Sequence, residues 1–310
     1  MVDWTYRILH DYFRVSQGEE FLVLTDPRKE DLARKLYETA RHEHLDAALM
    51  VVRARHRHGE EPPRHAAEAM RGSDVVAAIT SWSITHTDAR KRACEEGARV
   101  ATMPGLTEGT ARRAIDIDPR PMRKVTRRLA EALTKASEAE LITEDGHRIT
   151  MELEGREAIP DDGDLSEPGS FGNLPAGEAF IAPVEGTAEG QIAVRSVAPD
   201  GLMDEPVIIT VEEGRLVDVE PENLEFSLLV KETENGDWLA ELGVGTNPGA
   251  KLVGLVLEDE KVYGTAHVAF GDNHTFGGEI ESDVHLDVVA VKPTLKLDGK
   301  TVVKRGKLKV

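Results

Sequence analysis

A short apolar run, Phe21-Leu22-Val23-Leu24-Thr25, opens the pattern that decides the fold of the first half of this 310-residue chain. The next segment has apolar residues at helical spacing, and the same alternation continues along the chain. The predicted strands are 21–25, 47–52, 74–80 and 99–103, and the predicted helices are 29–42, 63–70, 88–97 and 119–137. Strands that alternate with helices form a parallel sheet covered by helices. The sequence therefore predicts an α/β amino-terminal domain over residues 1–140.

Short strands replace this alternation after about residue 140. The segment 160–172, rich in Pro, Gly and Asp, has the composition of an exposed loop, and Asp298-Gly299 marks a hairpin turn. A helix is predicted at 221–233, and strands are predicted at 140–143, 148–153, 178–183, 191–197, 206–211, 216–219, 238–243, 264–270 and 284–291. We expect a β-rich α+β carboxyl-terminal domain over residues 141–310.

The formal net charge of −19 disfavours a nucleic-acid partner, because nucleic-acid binding depends on cationic side chains that neutralise phosphates. No apolar run has the length of a membrane span, and the first residues lack the pattern of a secretory signal. We therefore expect a cytoplasmic protein that binds neither nucleic acid nor membrane. The turn Asp26-Pro27-Arg28-Lys29-Glu30 after the first strand lacks the glycines of a dinucleotide site.

Five potential metal ligands gather in the strand-rich half of the chain. They are Glu178, Glu241, His267, His285 and Asp287. His285 and Asp287 are two residues apart, so on a strand both side chains point to the same face. Three carboxylates and two imidazoles suffice to hold two divalent cations, and the sequence therefore predicts a metal site in the carboxyl-terminal domain.

Two explanations are open for the glutamates of this set. Most glutamates are surface residues, and Glu178 and Glu241 can be carboxylates on half-exposed strands. Both, however, are embedded among apolar or small residues, in Gly177-Glu178-Ala179-Phe180-Ile181 and Leu239-Ala240-Glu241-Leu242-Gly243. Such embedding is typical of buried charges paired with a cation.

His86 follows the third predicted strand, where ligands collect in parallel sheets. The alternative is that Thr87 or Asp88 caps the next helix and that His86 has no role. The spacing alone leaves both readings open.

Four segments in order resemble the metal-ligand motifs of the aminopeptidase T family of metallopeptidases. They are the segments 173–183, 241–248, 267–271 and 284–287. Upstream, the segment 83–87 with Ala89-Arg90 is similar to a further motif of the same superfamily. The resemblance thus extends over most of the chain.

The resemblance implies a two-domain protein, a homodimer, that removes amino-terminal residues from small peptides with two divalent metals (zinc, cobalt or manganese). Position by position, it makes the five residues above the ligands. A water between two cations becomes hydroxide near neutral pH, and His86 or His274 would donate a proton or stabilise the oxyanion. His274 stands where the peptidases place a tyrosine, so this chain departs from the family pattern there.

The superfamily also contains ring-cleaving dioxygenases of dihydroxypyridines, which hold one Fe(II) with two histidines and one aspartate. His267, His285 and Asp287 would supply that triad. One Fe(II) would leave Glu178 and Glu241 as additional buried anions, so their presence favours two metals unless they face water or pair with Arg90 or another cation. A third hypothesis is a non-catalytic homologue that binds a metal or a small molecule.

Overall fold

The computed structural model describes residues 3–310, and the chain divides into two compact units. The first unit ends at Arg120 and resumes over Gly163–Ala176. The second unit comprises Pro121–Asp162 and Gly177–Val310. The division between residues 140 and 141 stays a prediction about independently folding domains. Helices and strands are numbered below in chain order.

The first unit is built on a five-stranded parallel sheet with the strand order β2-β1-β3-β4-β8. Its strands are β1 (Glu20–Thr25), β2 (Asp46–Val51), β3 (Val75–Ile79), β4 (Arg99–Thr102) and β8 (Phe171–Asn173). Its helices are α1 (Trp4–Arg7), α2 (Glu30–His42), α3 (Arg64–Arg71), α4 (Asp88–Glu95) and α5 (Glu108–Thr110), with π-helical turns at Ile8–Tyr12 and Ala111–Ile115. The predicted α/β architecture is confirmed.

The segment 160–172 differs from the expected exposed loop. Its last residues form β8, which pairs in parallel with β4, and Leu165 is buried. A strand of three residues is too short to show the alternation of apolar and polar side chains from which strands are predicted. The composition of the segment was therefore a correct signal for irregular backbone but not for exposure.

The second unit contains a large antiparallel sheet with the order β18-β17-β16-β5-β6-β10-β15-β14-β13-β9-β7, and β11 and β12 extend from β10. Its strands are β5 (Glu138–Ile142), β6 (Arg148–Glu152), β7 (Ile159–Asp161), β9 (Glu178–Ile181), β10 (Glu189–Val197), β11 (Gly201–Glu212), β12 (Arg215–Glu220), β13 (Leu239–Gly245), β14 (Ala266–Gly271), β15 (His285–Ala290), β16 (Thr294–Leu297), β17 (Lys300–Lys304) and β18 (Lys307–Leu308). Its helices are α6 (Pro119–Thr134), whose first two residues belong to the first unit, α7 (Glu225–Glu232) and α8 (Val256–Asp259), with a 3₁₀ turn at His274–Phe276. The predicted β-rich character is confirmed.

The core of the second unit lies on one face of the neighbouring strands β15, β14, β13 and β9. Leu242, Val268 and Val288 belong to this core, and their side chains are fully buried. Because side chains alternate between the two faces of a strand, the residues between them point to the opposite face. None of the helices within residues 3–310 combines the length and the apolar character that a membrane span requires.

Candidate metal centre

The five predicted ligands lie on four neighbouring strands. Glu178 begins β9, Glu241 lies in β13, His267 lies in β14, and His285 and Asp287 lie in β15. Ala269 of β14 pairs with both Glu241 and Asp287, and residues paired in this way point to the same side of a sheet. A register shift between Leu239 and Glu241 sets the direction of the Glu241 side chain. All five side chains therefore share the face opposite the core.

Small residues stand beside each ligand on the adjacent strand. The pairs are Glu178 with Gly245, His267 with Gly243, Asp287 and Glu241 with Ala269, and His285 with Gly271. A Cβ atom on Gly243 would collide with the imidazole of His267. Because these positions carry no side chain or only the methyl group of Ala269, the ligand side chains can converge over the strands instead of standing apart.

Substitution of Gly243 by Ala tests this spacing. The added methyl group must push the His267 ring away, and we expect the free energy of unfolding to fall by about 1–3 kcal/mol. Metal bound at the position of His267 should weaken as well. Urea denaturation and metal analysis measure the two effects.

Gly72→Ala is the matched control, because a Cβ there is 3.5 Å from its nearest neighbour, the backbone oxygen of Glu68. The control should change stability by no more than about 0.5 kcal/mol. Equal stability and metal content in the two variants would show that His267 does not need the space above Gly243.

Two groups of three ligand atoms form on this face, each within 4.8 Å, and both include Glu241. One group is Glu178, Glu241 and His267, and the other is Glu241, His285 and Asp287. Glu241 Oε1 is 3.1 Å from His267 Nε2, whereas Glu241 Oε2 is 3.4 Å from His285 Nε2. Within residues 3–310, His267, His285 and Asp287 do not form a compact group of their own.

In the metal-free site, the neighbouring carboxylates favour the protonated form of both imidazoles, and a bound metal ion would displace those protons. Burial lowers the pKa of His267, but the hydrogen bond to Glu241 and the charge of Glu178 outweigh it and raise the pKa to about 9. Burial also lowers the pKa of His285, but Asp287 and Glu241 outweigh this effect and raise the pKa well above its usual range. Burial acts to raise the pKa of Glu241, yet the contacts with His267 and His285 lower it to about 2. The electrostatics of the site thus favour cations.

Lys261 is a cation of this site that the sequence did not reveal. Its side chain is 1% exposed, and its Nζ donates hydrogen bonds to Glu178 Oε1 and, at 2.6 Å, to Glu260 Oε1. Asp161 Oδ2 lies 3.7 Å from the same nitrogen. Burial lowers the pKa of Lys261, but the three carboxylates outweigh it and raise the pKa well above its usual range. The ammonium group is therefore charged.

The immediate neighbours of the two groups differ. His285 Nδ1 donates a hydrogen bond to the backbone oxygen of Asp272 at 2.7 Å, which directs Nε2 towards Glu241 and Asp287. His267 Nδ1 is buried and has no hydrogen-bond partner in the part of the chain that the structure describes. Glu178 Oε2 is also buried without such a partner, although His267 Nε2 is 3.3 Å away.

His274 and Phe276 lie in the turn between β14 and β15. His274 pairs with Asp272 at 2.5 Å, and its side chain is 42% exposed. The ring of Phe276 instead packs edge-on against His285 at 5.7 Å and against Phe180 at 5.4 Å. An aromatic side chain thus lies beside the ligands, two residues after His274, and no sequence pattern distinguished the two positions.

His86 belongs to the first unit, where its side chain is exposed in the loop between β3 and α4. The Thr87 side chain accepts a hydrogen bond from the backbone N–H of Arg90 and caps α4. Thr87 thus caps the helix, as one of the two hypotheses expected, and a catalytic role of His86 stays a prediction.

The family model described as NicX, 2,5-dihydroxypyridine 5,6-dioxygenase, matches residues 7–310. No curated protein sequence matches the chain. Among solved structures, 2,5-dihydroxypyridine dioxygenase from Pseudomonas putida KT2440 is similar with a TM-score of 0.83 and 19% identity, over 98% of this chain and 96% of that chain.

Wild-type AmpT (aminopeptidase T) from Thermus thermophilus is similar with a TM-score of 0.71 and 18% identity, over 99% of this chain and 98% of that chain. At these identities the two likenesses show a shared fold. The predicted superfamily, which contains both enzymes, is confirmed.

Proposed function

The chain belongs to the 2,5-dihydroxypyridine 5,6-dioxygenase family, and from the geometry of its ligand residues we propose that it is a metal-dependent hydrolase that removes amino-terminal residues from small peptides. The fold is shared with a dioxygenase and with an aminopeptidase, so the fold supports both reactions equally. The observation that carries the proposal is the position of Glu241, each of whose oxygens faces a different ligand group.

The residues fit a pair of divalent cations. Glu178, Glu241 and His267 would hold one, and Glu241, His285 and Asp287 would hold the other. Glu178 Oε2 is buried and lacks a hydrogen-bond donor within the described residues, as expected of an atom that coordinates a metal. When bound, two such cations acidify water and polarise a carbonyl group.

The protein's own side chains position these groups. Lys261 holds one oxygen of Glu178, which fixes the orientation of the other. The backbone oxygen of Asp272 would keep the proton of a neutral His285 ring on Nδ1 and leave Nε2 as the ligand atom. Phe180 and Phe276 form an apolar wall that would exclude water and contact a substrate side chain. His274, paired with Asp272, and His86 remain our candidates for proton transfer.

The second candidate is the Fe(II) ring-cleaving reaction that gives the family its description. Lys261 favours it, because the sequence-based preference for two metals assumed that Glu178 had no other cation nearby. With Glu178 paired to Lys261, only two of the three carboxylates among the five ligand residues, Glu241 and Asp287, are left to balance the charge of one divalent ion. The position of Glu241 between His267 and His285 argues against the Fe(II) reaction. His267, His285 and Asp287 do not form a separate group among residues 3–310.

Metal analysis of the purified protein followed by two assays tests the proposal. We expect two equivalents of zinc, cobalt or manganese, and release of p-nitroaniline from Leu-p-nitroanilide that a chelator abolishes and added metal restores. The matched assay is oxygen uptake with 2,5-dihydroxypyridine after anaerobic loading with Fe(II).

One equivalent of iron with ring cleavage would replace the hydrolase by the dioxygenase. Neither reaction in fully loaded protein would indicate a binding protein without turnover. The homodimer and the cytoplasmic location stay predictions that these assays do not address.

A further inference from the structure

The two ligand groups differ in depth. The side chains of His285 and Asp287 are 22% and 15% exposed, whereas those of His267 and Glu178 are 0% and 8% exposed. We call His285, Asp287 and Glu241 the outer triad, and His267, Glu178 and Glu241 the inner triad. A cation from solvent therefore reaches the outer triad more directly.

The two triads also differ in how far they are prepared for a metal. In the outer triad, His285 Nδ1 donates a hydrogen bond to the backbone oxygen of Asp272, so the ring is oriented and would present Nε2 to a cation once that nitrogen loses its proton. In the inner triad, His267 Nδ1 has no such partner within residues 3–310. Metal-binding histidines are usually held through their second nitrogen, so the inner triad lacks a support that the outer triad has.

Lys261 makes the charge beside the inner triad different from the charge beside the outer triad. Its ammonium group is bound to Glu178 of the inner triad and to Glu260, and Asp161 lies beside it. A divalent cation at the inner triad would share Glu178 with this ammonium group and would be repelled by it at low dielectric. The outer triad has no lysine or arginine ion pair among the described residues.

From these three differences we infer that Lys261 acts as a built-in cation that makes the inner triad the weaker metal position, filled after the outer triad. Lys261 is thus a positioning residue for Glu178 and a determinant of metal affinity. The inference rests on the proposed two-metal centre. It implies that the protein carries one metal at low metal supply and two only at higher supply.

Calorimetric titration of the metal-free, full-length protein with Zn²⁺ tests the order. We expect the second equivalent to bind at least about tenfold more weakly than the first. In Lys261→Gln, the second step should tighten by about tenfold or more, while the first changes by less than about threefold. Lys296→Gln is the control, because Lys296 forms a partly exposed pair with Glu140 at 2.7 Å in the same unit.

Two further measurements keep the test decisive if Lys261→Gln does not fold. The double variant Glu260→Gln/Lys261→Gln removes the ammonium group together with one of the carboxylates that pair with it, so it should tighten the second step in the same direction but by less. In the wild-type protein, the first equivalent of Zn²⁺ should shift the ¹⁵N resonances of His285 before those of His267. The reverse order overturns the inference.

The outcomes separate this inference from the proposed function. One equivalent in the wild type and two in Lys261→Gln supports the role of Lys261 and contradicts a two-metal wild-type enzyme. An unchanged second step in both lysine variants, or one equivalent in all proteins, overturns the inference. Equal affinities for both equivalents in the wild type overturn it as well.

Discussion

Replacement of Glu241 by Gln is expected to remove both metal positions together and to lower kcat/KM for peptide hydrolysis by about a thousandfold or more. Each oxygen of Glu241 faces a different imidazole, so one substitution affects both triads. The amide lacks the negative charge that attracts cations, and its NH₂ group would point a donor at one of the histidines. Metal analysis and assay of Leu-p-nitroanilide hydrolysis measure the two losses.

Glu140→Gln provides the control for this variant. Glu140 is a partly buried carboxylate of β5 that pairs with Lys296, and it belongs to the same unit. Its substitution should leave metal content and turnover near wild type. If Glu241→Gln kept both metals and its activity, the bridging position of Glu241 and the proposed hydrolytic centre would be wrong.

Replacement of Lys261 by Met is expected to lower the free energy of unfolding of the metal-free protein by about 3–5 kcal/mol. The buried carboxylates of Glu178, Glu260 and Asp161 would lose the ammonium group that they share. Asp161 already has a pKa of about 7, because burial raises it more than Lys261 lowers it. Urea denaturation in the presence of a chelator measures the loss.

Added divalent cations should restore part of this stability, because a metal at Glu178 replaces the missing charge. Lys296→Met, which breaks a partly exposed ion pair, should cost no more than about 1 kcal/mol. A metal-free Lys261→Met protein as stable as the wild type would show that the carboxylates do not depend on Lys261.

The strands of the candidate site could be predicted because each is short and bounded by turn residues. The predicted strands 264–270 and 284–291 correspond to β14 and β15 within two residues at each end. The spacing of His285 and Asp287 also placed both side chains on one face, as found. Which strands become neighbours depends on pairing between distant segments, and the convergence of Glu178 on His267 was accessible only through the family resemblance.

Lys261 could not be predicted because its surroundings in sequence are typical of an exposed turn. Four consecutive charged residues, Glu258-Asp259-Glu260-Lys261, are all buried. Asp259 accepts hydrogen bonds from the backbone N–H groups of Val253 and Gly254, which offset its burial. Such compensation arises only in the folded chain, whereas charged runs in a sequence are usually solvated. The only signal was the charge count, which left room for an unidentified cation near Glu178.

The glycines and the alanine beside the ligands suggest how such centres can be recognised in newly determined genomes. Gly243 and His267 lie on different strands, so the residue that makes room is separated in sequence from the residue that needs it. A search that requires each ligand together with its small cross-strand neighbour would reject chains that carry only the acidic and histidine motifs. Such a search looks for a pattern across neighbouring strands of the sheet. A large side chain at the position of Gly243 would indicate a relative that does not bind metal at the inner triad.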